Sequence, residues 1–525
     1  MDIRSKQKCL SALREAAEQE KPRFLFCLAA TFFTGLVAHA YAFFHDSFSH
    51  DALGGIYANV FEDNWKIALG RFFVPTYRSV VRGSISVPWL IGLLALLWIG
   101  LSVYLIVRMF SLQSRVVITL LAGIMAVNLT VTAMTATFLY ELDVDMLALL
   151  AATAAAYLWH RCKWGWLPGM ALVALALSIY QAYLSVAIVL VMLASIWALL
   201  RGETAQSVFF KGLKGIGMLI GGGLLYLIGL KVECQITGIA LADSYNGLTS
   251  ILRLSPGAIP ALIGSAYQDW FCVFTQPKDA YIGTALRVAN IALLGLTGLL
   301  AVTAVVKKGI KPAAKGLFLA LLALLPLGMN ISYVLSGGMV HDLMRYSFWF
   351  LYLLALLLVL RLCPAGADGK NDAARLAQCA AYLLVFLVIW NNIQFANAIY
   401  LKKNLEQDAA LSRMTRVADR LETLPGYVGG ETPVVFVSVP SFVDTMPGFE
   451  VLSDVNGATT SNVITYNTPG IYAMYFTYIL NTPIALDGAT WGDFQTDPRV
   501  AEMPSFPAAE SIQELDGVIV VKMGD

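Results

Sequence analysis

The chain has 525 residues, of which 58% are hydrophobic and only 14% are charged. Soluble globular proteins carry about 45–50% apolar and ~25% charged residues, so this composition excludes an ordinary soluble enzyme. The formal net charge of +1 shows no basic excess and therefore gives no support to nucleic-acid binding.

Residues 1–23 form a polar N-terminal segment that contains several Lys and Arg residues. No signal-peptide cleavage pattern follows, and the next apolar run is too long for the hydrophobic region of a signal peptide. We therefore expect this segment to be retained and to lie in the cytoplasm.

Apolar stretches predict about eleven transmembrane helices, because a helix needs roughly 20 residues to cross ~30 Å of hydrocarbon. The predicted spans are 24–44, 88–108, 116–138, 144–160, 166–180, 182–200, 214–231, 282–305, 316–335, 346–361 and 376–396. A polar break, Ser178-Ile179-Tyr180-Gln181, separates two of them. Such irregular backbone is tolerated at membrane depth where protein surrounds it.

The Lys and Arg residues outside the spans are concentrated on the side that also holds the N-terminal segment. Cytoplasmic loops carry such an excess. This asymmetry predicts a multi-pass protein of the cytoplasmic membrane with its N-terminus inside. Residues 45–88 and everything after about residue 397 then lie outside.

Cys234 and Cys272 share one predicted external loop. An oxidising compartment permits a disulfide there. The alternative, two unpaired buried thiols, is equally compatible with the sequence.

The C-terminal part of the chain differs in character from the rest. It becomes amphipathic and charged from Tyr400, and strand-like runs follow at residues 434–439 and 517–522. Runs rich in Val and bounded by turn residues are typical of strands. We predict a membrane domain over residues 24–396 and a small extracytoplasmic α/β domain over residues 397–525, in which no catalytic motif is present.

The first external loop carries acidic, basic and aromatic residues, among them His50, Asp51, Asp63, Trp65 and Arg71. Carboxylates abstract protons, and arginine binds phosphate oxygens. Aromatic side chains also stack on sugar rings or anchor at the membrane interface. The alternative is a solvated loop with amphipathic interfacial helices, which composition alone favours.

An acidic run, Glu141-Leu142-Asp143-Val144-Asp145, lies between two predicted spans. Carboxylates at the mouth of a helix bundle are costly unless they are solvated, paired or bound to metal. A solvated turn is one interpretation. The other interpretation is a functional role: binding of the acceptor, a part in catalysis, or ligation of a divalent metal by Asp143 and Asp145.

Further polar groups lie at predicted external ends of spans. Arg345 and His341 suit a lipid-linked phosphate or pyrophosphate, which arginine binds through two parallel hydrogen bonds. Gln181, beside Tyr180, faces the same side, and Lys231 is another candidate phosphate contact. For Arg345 and Lys231 the alternative to phosphate binding is snorkelling, in which the charged group extends to the membrane–water interface.

Together these loops resemble the membrane glycosyltransferases of the GT-C fold, and in particular the polytopic glucosyltransferases that modify bacterial O-antigens. The resemblance covers most of residues 24–396. It is carried by Ser49-His50-Asp51, by Gly70-Arg71-Phe72, by the Ser178–Gln181 break and by Arg345.

The resemblance implies an inverting enzyme that moves a sugar, commonly glucose, from a polyprenyl-phosphate donor to a cell-surface glycan outside the membrane. It implies Asp51 as the general base. Because Glu62-Asp63 is the only adjacent acidic pair in this loop, Asp63 is the alternative base.

The resemblance also assigns further site residues. Asp143 and Asp145 are a second acid or possible ligands of a divalent metal. The candidate contacts to the donor phosphate are Arg71, Arg345, His341 and Lys231. The candidate contacts to other parts of the substrates are His50, Trp65, Glu141, Tyr180 and Gln181.

A lipid-linked glycan transporter or flippase is the main alternative function, and a glycan polymerase or ligase is the third. A transporter predicts charges at mid-span and internal repeats. The sequence shows neither clearly.

Overall fold

The structure of the protein is a computed structural model, and it describes residues 3–45, 49, 52–53, 59–83, 87–242, 255–276, 284–307, 312–363, 372–438, 469–486 and 490–524.

Helices dominate the described part of the chain. In chain order they are α1 (Ile3–Phe44), α2 (Asn59–Ala68), α3 (Phe73–Val81), α4 (Pro88–Phe110), α5 (Arg115–Ala126), α6 (Leu129–Thr137), α7 (Leu142–Arg161), α8 (Trp166–Ile179), α9 (Leu184–Leu200), α10 (Ala205–Thr237), α11 (Ile259–Thr275), α12 (Thr284–Lys307), α13 (Pro312–Met329), α14 (Ile331–Leu335), α15 (Phe350–Leu362), α16 (Asp372–Glu422), α17 (Pro469–Met474), α18 (Trp491–Phe494) and α19 (Pro498–Glu502). Short 3₁₀ helices follow α6 at Leu139–Glu141 and α8 at Gln181–Tyr183.

Nine helical segments within the described ranges are long and apolar enough to cross a membrane. Two shorter apolar helices, Trp166–Ile179 and Tyr346–Leu362, accompany them. Each predicted span coincides with one of these segments. The prediction of a polytopic, helical membrane protein is therefore confirmed.

The predicted span 116–138 is broken into α5 and α6 at Asn128. The Asn128 side chain accepts a hydrogen bond from the Val131 amide at 3.0 Å and donates to the carbonyls of Ile124 and Met125 at 3.0 and 3.1 Å. Side chains from other parts of the chain also donate hydrogen bonds to the last carbonyls before the break. Tyr346 donates to Met125, His39 to Ala126 and Asn392 to Val127. Because side chains replace the lost helical bonds, the break is stable inside the bundle.

The C-terminal region contains a four-stranded sheet. Its strands are β1 (Pro433–Val437), β2 (Ala485–Leu486), β3 (Ile512–Leu515) and β4 (Val518–Lys522), in the order β2-β1-β4-β3. Strand β1 is parallel to β2 and β4, whereas β3 is antiparallel to β4. Both strands expected from the sequence are confirmed.

The long helix α16 connects the two parts of the molecule. It spans 51 residues, and so it continues without interruption through residue 397, where the domain boundary is predicted. Its last turns bury Met414, Val417 and Leu421 in a core that also contains β1 and β4. One rigid element thus belongs both to the bundle and to the C-terminal core.

Two predicted external loops contain regular structure. Helices α2 and α3 occupy part of residues 45–88, but they are not solvated as the alternative interpretation of that loop expects, because Lys66 and Arg78 are buried. Helix α11 lies in the loop that contains Cys272, where no helix is predicted from the sequence. Cys234 and Cys272 are both free thiols, so the disulfide expected as one alternative is absent from the structure.

Candidate functional site

Three buried carboxylates lie where α6 is linked to α7. Glu141 ends the 3₁₀ helix, and Asp143 and Asp145 lie in the first turn of α7. Their exposed fractions are 3%, 0% and 5%. The start of a helix is electrostatically favourable for negative charge, but burial of this degree requires specific partners.

Glu141 lies among cations supplied by α2 and α3. Its carboxylate is 2.7 Å from Lys66 Nζ, 3.0 Å from Arg78 Nη2 and 3.8 Å from Arg71 Nη1. Arg78 also binds Asp63 at 3.2 Å. The first loop is therefore attached to the start of α7 through a buried network of opposite charges.

Asp143 is held by a second set of partners. Arg82 Nε lies 3.0 Å from its carboxylate, and the Tyr77 hydroxyl donates to the same oxygen at 3.0 Å. Trp98 in turn donates to the Tyr77 oxygen at 3.1 Å. Burial and then the Asp143 charge raise the pKa of Tyr77 above its ordinary value, so the hydroxyl retains the proton that it donates.

Asp145 differs from its two neighbours. Within the described ranges it makes no hydrogen bond or ion pair, although Glu141, Arg71 and Lys66 act on it electrostatically. A buried carboxylate without a bonded partner is costly. Asp145, together with Oδ1 of Asp143, which is buried and has no hydrogen-bond partner among the described residues, can therefore accept hydrogen bonds from a bound molecule.

Arg71 projects toward this cluster from the turn between α2 and α3. Gly70 has a positive φ of 79°, a conformation that glycine adopts at little cost. The Arg71 guanidinium lies over the Tyr180 ring, 4.2 Å from its centroid. The structure thus brings together Arg71, Tyr180 and Glu141, which are distant in sequence.

Gln181 fixes the same turn from the polar break after α8. Its side-chain amide donates to the Leu69 carbonyl and to the Tyr226 hydroxyl, each at 3.0 Å. The hydroxyl of Tyr226 donates to the Gly70 carbonyl at 3.1 Å. Gln181 therefore supports the turn that carries Arg71. Trp65, in α2 immediately before Lys66, is half-buried.

Two candidate residues, His50 and Asp51, lie outside the described residues. Their neighbour Ser49 is buried and donates through its hydroxyl to the carbonyl of Thr137, at the end of α6. Leu53 is also fully buried. Ser49 and Leu53, which flank His50 and Asp51, are thus held in place. The carbonyl that Ser49 binds belongs to Thr137, directly before the link between α6 and α7 that contains Glu141.

Arg345 belongs to a different group of charges. Its guanidinium binds Asp342 at 2.6 Å and Asp269, in α11, at 2.7 Å. Thr130, in the first turn of α6, donates to the Asp342 carbonyl at 2.8 Å. The Arg345 group lies at the start of α6, whereas Glu141 follows the end of that helix. A helix of nine residues is on the order of 13 Å long, so α6 separates the charges around Arg345 from those around Glu141.

His341 and Lys231 join neither group. Both side chains are exposed, and neither makes a side-chain hydrogen bond or ion pair with a described residue.

Replacing Arg345 by Ala is expected to lower the free energy of unfolding by about 1–3 kcal/mol, because two half-buried carboxylates lose charged hydrogen bonds. Thermal unfolding of the purified protein in detergent measures this loss. Arg345→Lys is the matched control, and it should recover part of the loss because an ammonium keeps the charge without the planar fork. Wild-type stability of Arg345→Ala, combined with weaker donor binding, would instead favour a direct phosphate contact.

Sequence reasoning missed four residues of the Glu141 and Asp143 network: Lys66, Tyr77, Arg78 and Arg82. A signal for two of them was present, since Arg78 and Arg82 follow the candidate Arg71 at spacings of seven and four residues. Such spacings repeat on one face of a helix. Glu141 and Asp143, to which these two arginines bind, lie more than fifty residues later in the chain, where sequence spacing gives no guidance.

Asp143 and Asp145 remain the candidate metal ligands. Asp143 is already bound by Arg82 and Tyr77, and among the described residues no group of three or more His, Cys, Asp or Glu side chains is placed to hold a metal ion.

Comparison with known proteins gives one match. A family model described as glucosyl transferase GtrII matches residues 40–405, more than half of the chain. No curated protein and no solved structure matches. The matched range contains the Glu141 and Asp143 networks and most of the helix bundle.

Proposed function

The chain belongs to the glucosyl transferase GtrII family, and on this premise we propose that it moves glucose from a polyprenyl-phosphate donor to a cell-surface glycan, with inversion at the anomeric carbon. The reaction takes place at the outer face of the cytoplasmic membrane, where the Lys and Arg asymmetry places the first loop. The bundle is assigned to the GT-C type.

The observation that carries this proposal is the buried Asp145 carboxyl group, which bonds to no described residue and feels the charge of Arg71, while Arg71 itself lies over the Tyr180 ring. Arg71 retains some solvent exposure, 18% of its side chain, and its guanidinium has the geometry to bind a phosphate. Negative charge grows on the donor phosphate as the sugar leaves. Preorganised cations in a site of low dielectric stabilise that charge.

The proposal keeps Asp51 as the general base that takes the proton of the acceptor hydroxyl. Asp63 is bound to Arg78, so its carboxylate already has a cationic partner within the first loop. This supports Asp51 over Asp63. Asp145 accepts hydrogen bonds from hydroxyl groups of the substrate, and Asp143 serves mainly to hold Arg82 and Tyr77.

The test is a transfer assay with the purified protein. Polyprenyl-phosphate glucose labelled in the sugar is incubated with the protein and an O-antigen glycan, and the proposal expects label in the glycan with inverted configuration. Label that only crosses the membrane of a vesicle, still attached to lipid, would indicate a flippase. Transfer only from a polyprenyl-pyrophosphate glycan would indicate a polymerase or ligase.

Asp145→Asn is expected to reduce kcat/KM for glucose transfer by about 2–10-fold, since a typical hydrogen bond contributes about 0.5–1.5 kcal/mol. Folding is expected to be preserved, because Asn has nearly the same shape as Asp and no hydrogen bond or ion pair to a described residue is lost. Steady-state kinetics and thermal unfolding measure the two effects. Asp143→Asn is the control, and it should lower stability because buried Arg82 loses its anion. Unchanged turnover by Asp145→Asn would remove Asp145 from the site.

A further inference from the structure

A buried lysine from the C-terminal helix contacts the end of α6. Lys403, in α16, has an exposed fraction of 4%, and its ammonium donates to the carbonyl of Ala136. A buried ammonium is costly unless it is bonded. The last carbonyls of a helix carry partial negative charge and lack helical partners, so a cation is favourable at this position.

Ser49 acts on the neighbouring carbonyl. Its hydroxyl donates to Thr137, the last residue of α6. The 3₁₀ helix with Glu141 begins two residues later, and Asp145 follows in α7. The first loop and the C-terminal helix therefore fix the same turn, immediately before the acidic residues of the site.

Helix α16 also reaches the core of the C-terminal region. Ala410 and Met414, two and three turns after Lys403, are fully buried in that core together with Val434 of β1. Leu53, from the first loop, lies in the same cluster and is fully buried. The C-terminal core is thus connected to the site by α16 and by Leu53.

Upstream of Lys403, α16 is bound to the bundle as well. The Tyr400 hydroxyl lies 2.7 Å from Nδ1 of buried His39, whose Nε2 lies 2.9 Å from the Ala126 carbonyl. Since α16 is held on both sides of Lys403, the ammonium has a fixed position from which to hold α6.

We propose that Lys403 is a positioning residue of the glucosyltransferase site, which holds the end of α6 so that Glu141 and Asp145 are placed for the reaction. Through this contact the C-terminal region is a functional part of the catalytic unit. The inference rests on the proposed function for the role of Asp145, whereas the contact itself is independent of it.

The experiment compares Lys403→Met, Lys403→Gln and Lys403→Arg with the wild type. Misplacement of reacting groups by about 1 Å costs on the order of 100-fold in rate, so Lys403→Met is expected to lower kcat about 10–100-fold while the donor KM stays close to the wild-type value. Lys403→Arg, which retains a cationic donor, should recover most of the rate. If Lys403→Met does not accumulate, Lys403→Gln replaces it in the comparison.

Hydrogen–deuterium exchange provides a readout that does not depend on activity. Exchange of peptides within residues 136–145 is expected to accelerate in Lys403→Met and to remain at the wild-type rate in Arg375→Gln, which removes one exposed cation from the opposite end of the same helix. Wild-type exchange and kcat in Lys403→Met would overturn the inference. If the wild type transfers no glucose, the proposed function fails. In that case wild-type exchange of residues 136–145 in Lys403→Met would by itself show that Lys403 does not hold the end of α6.

Discussion

Asp51→Asn is expected to abolish glucose transfer while the protein still inserts and folds. General-base catalysis contributes about 10²–10⁴-fold to a rate, and an amide cannot accept the proton of the acceptor hydroxyl. The fold should be preserved because Asn has nearly the same shape as Asp. Transfer kinetics in detergent or liposomes, with thermal unfolding measured on the same preparation, determine both effects.

Asp63→Asn is the matched comparison, because it makes the same substitution in the same loop. Asp63 binds Arg78 at 3.2 Å and is partly exposed. We therefore expect a small loss of stability and residual transfer well above that of Asp51→Asn. The reverse ranking, with Asp63→Asn inactive and Asp51→Asn active, would identify Asp63 as the base.

Glu141→Gln is expected to cause the largest loss of stability. The buried carboxylate neutralises Lys66 and Arg78 at 2.7 and 3.0 Å, with Arg71 at 3.8 Å. Removing one partner of a buried ion pair costs about 3–5 kcal/mol, because the remaining charge stays buried and uncompensated. Thermal unfolding and the yield of folded protein in detergent measure the effect.

Glu20→Gln is the control for that substitution. Glu20 binds Arg108 at 3.1 Å and Arg23 at 3.3 Å, but its side chain is 30% exposed. Exposed ion pairs contribute about 0–1 kcal/mol, so this variant should unfold close to the wild type. Equal stability of Glu141→Gln and Glu20→Gln would show that the charges around Glu141 do not depend on it.

The local patterns of the sequence were reliable guides to the elements. Long apolar runs predicted the spans because crossing a membrane requires a minimum length of apolar helix. Short continuous Val-rich runs predicted β1 and β4. The break at Asn128 was not predicted, since it depends on donors such as His39 and Asn392 that lie far away in the chain.

The partners of the charged residues at the site could not be read from the sequence. Arg345 has the residue type and position of a phosphate contact, yet it binds Asp269 and Asp342. Asp143 and Asp145 look equivalent in sequence, but among the described residues a cation is bonded to Asp143 and none to Asp145. Arg78 and Arg82 were left out because their acidic partners come from another segment.

The sequence by itself determined that this protein is a polytopic helical membrane protein with an α/β C-terminal region, because hydrophobic length and periodicity are local properties of the chain. It also indicated Asp51, Arg71 and the acidic run as candidates. Only the tertiary structure decided that Glu141 and Asp143 are bound by cations of the first loop, whereas Asp145 bonds to none of the residues that the structure describes. It alone brought Lys403 to the end of α6, since buried charges are paired across elements distant in sequence and local patterns do not specify such pairs.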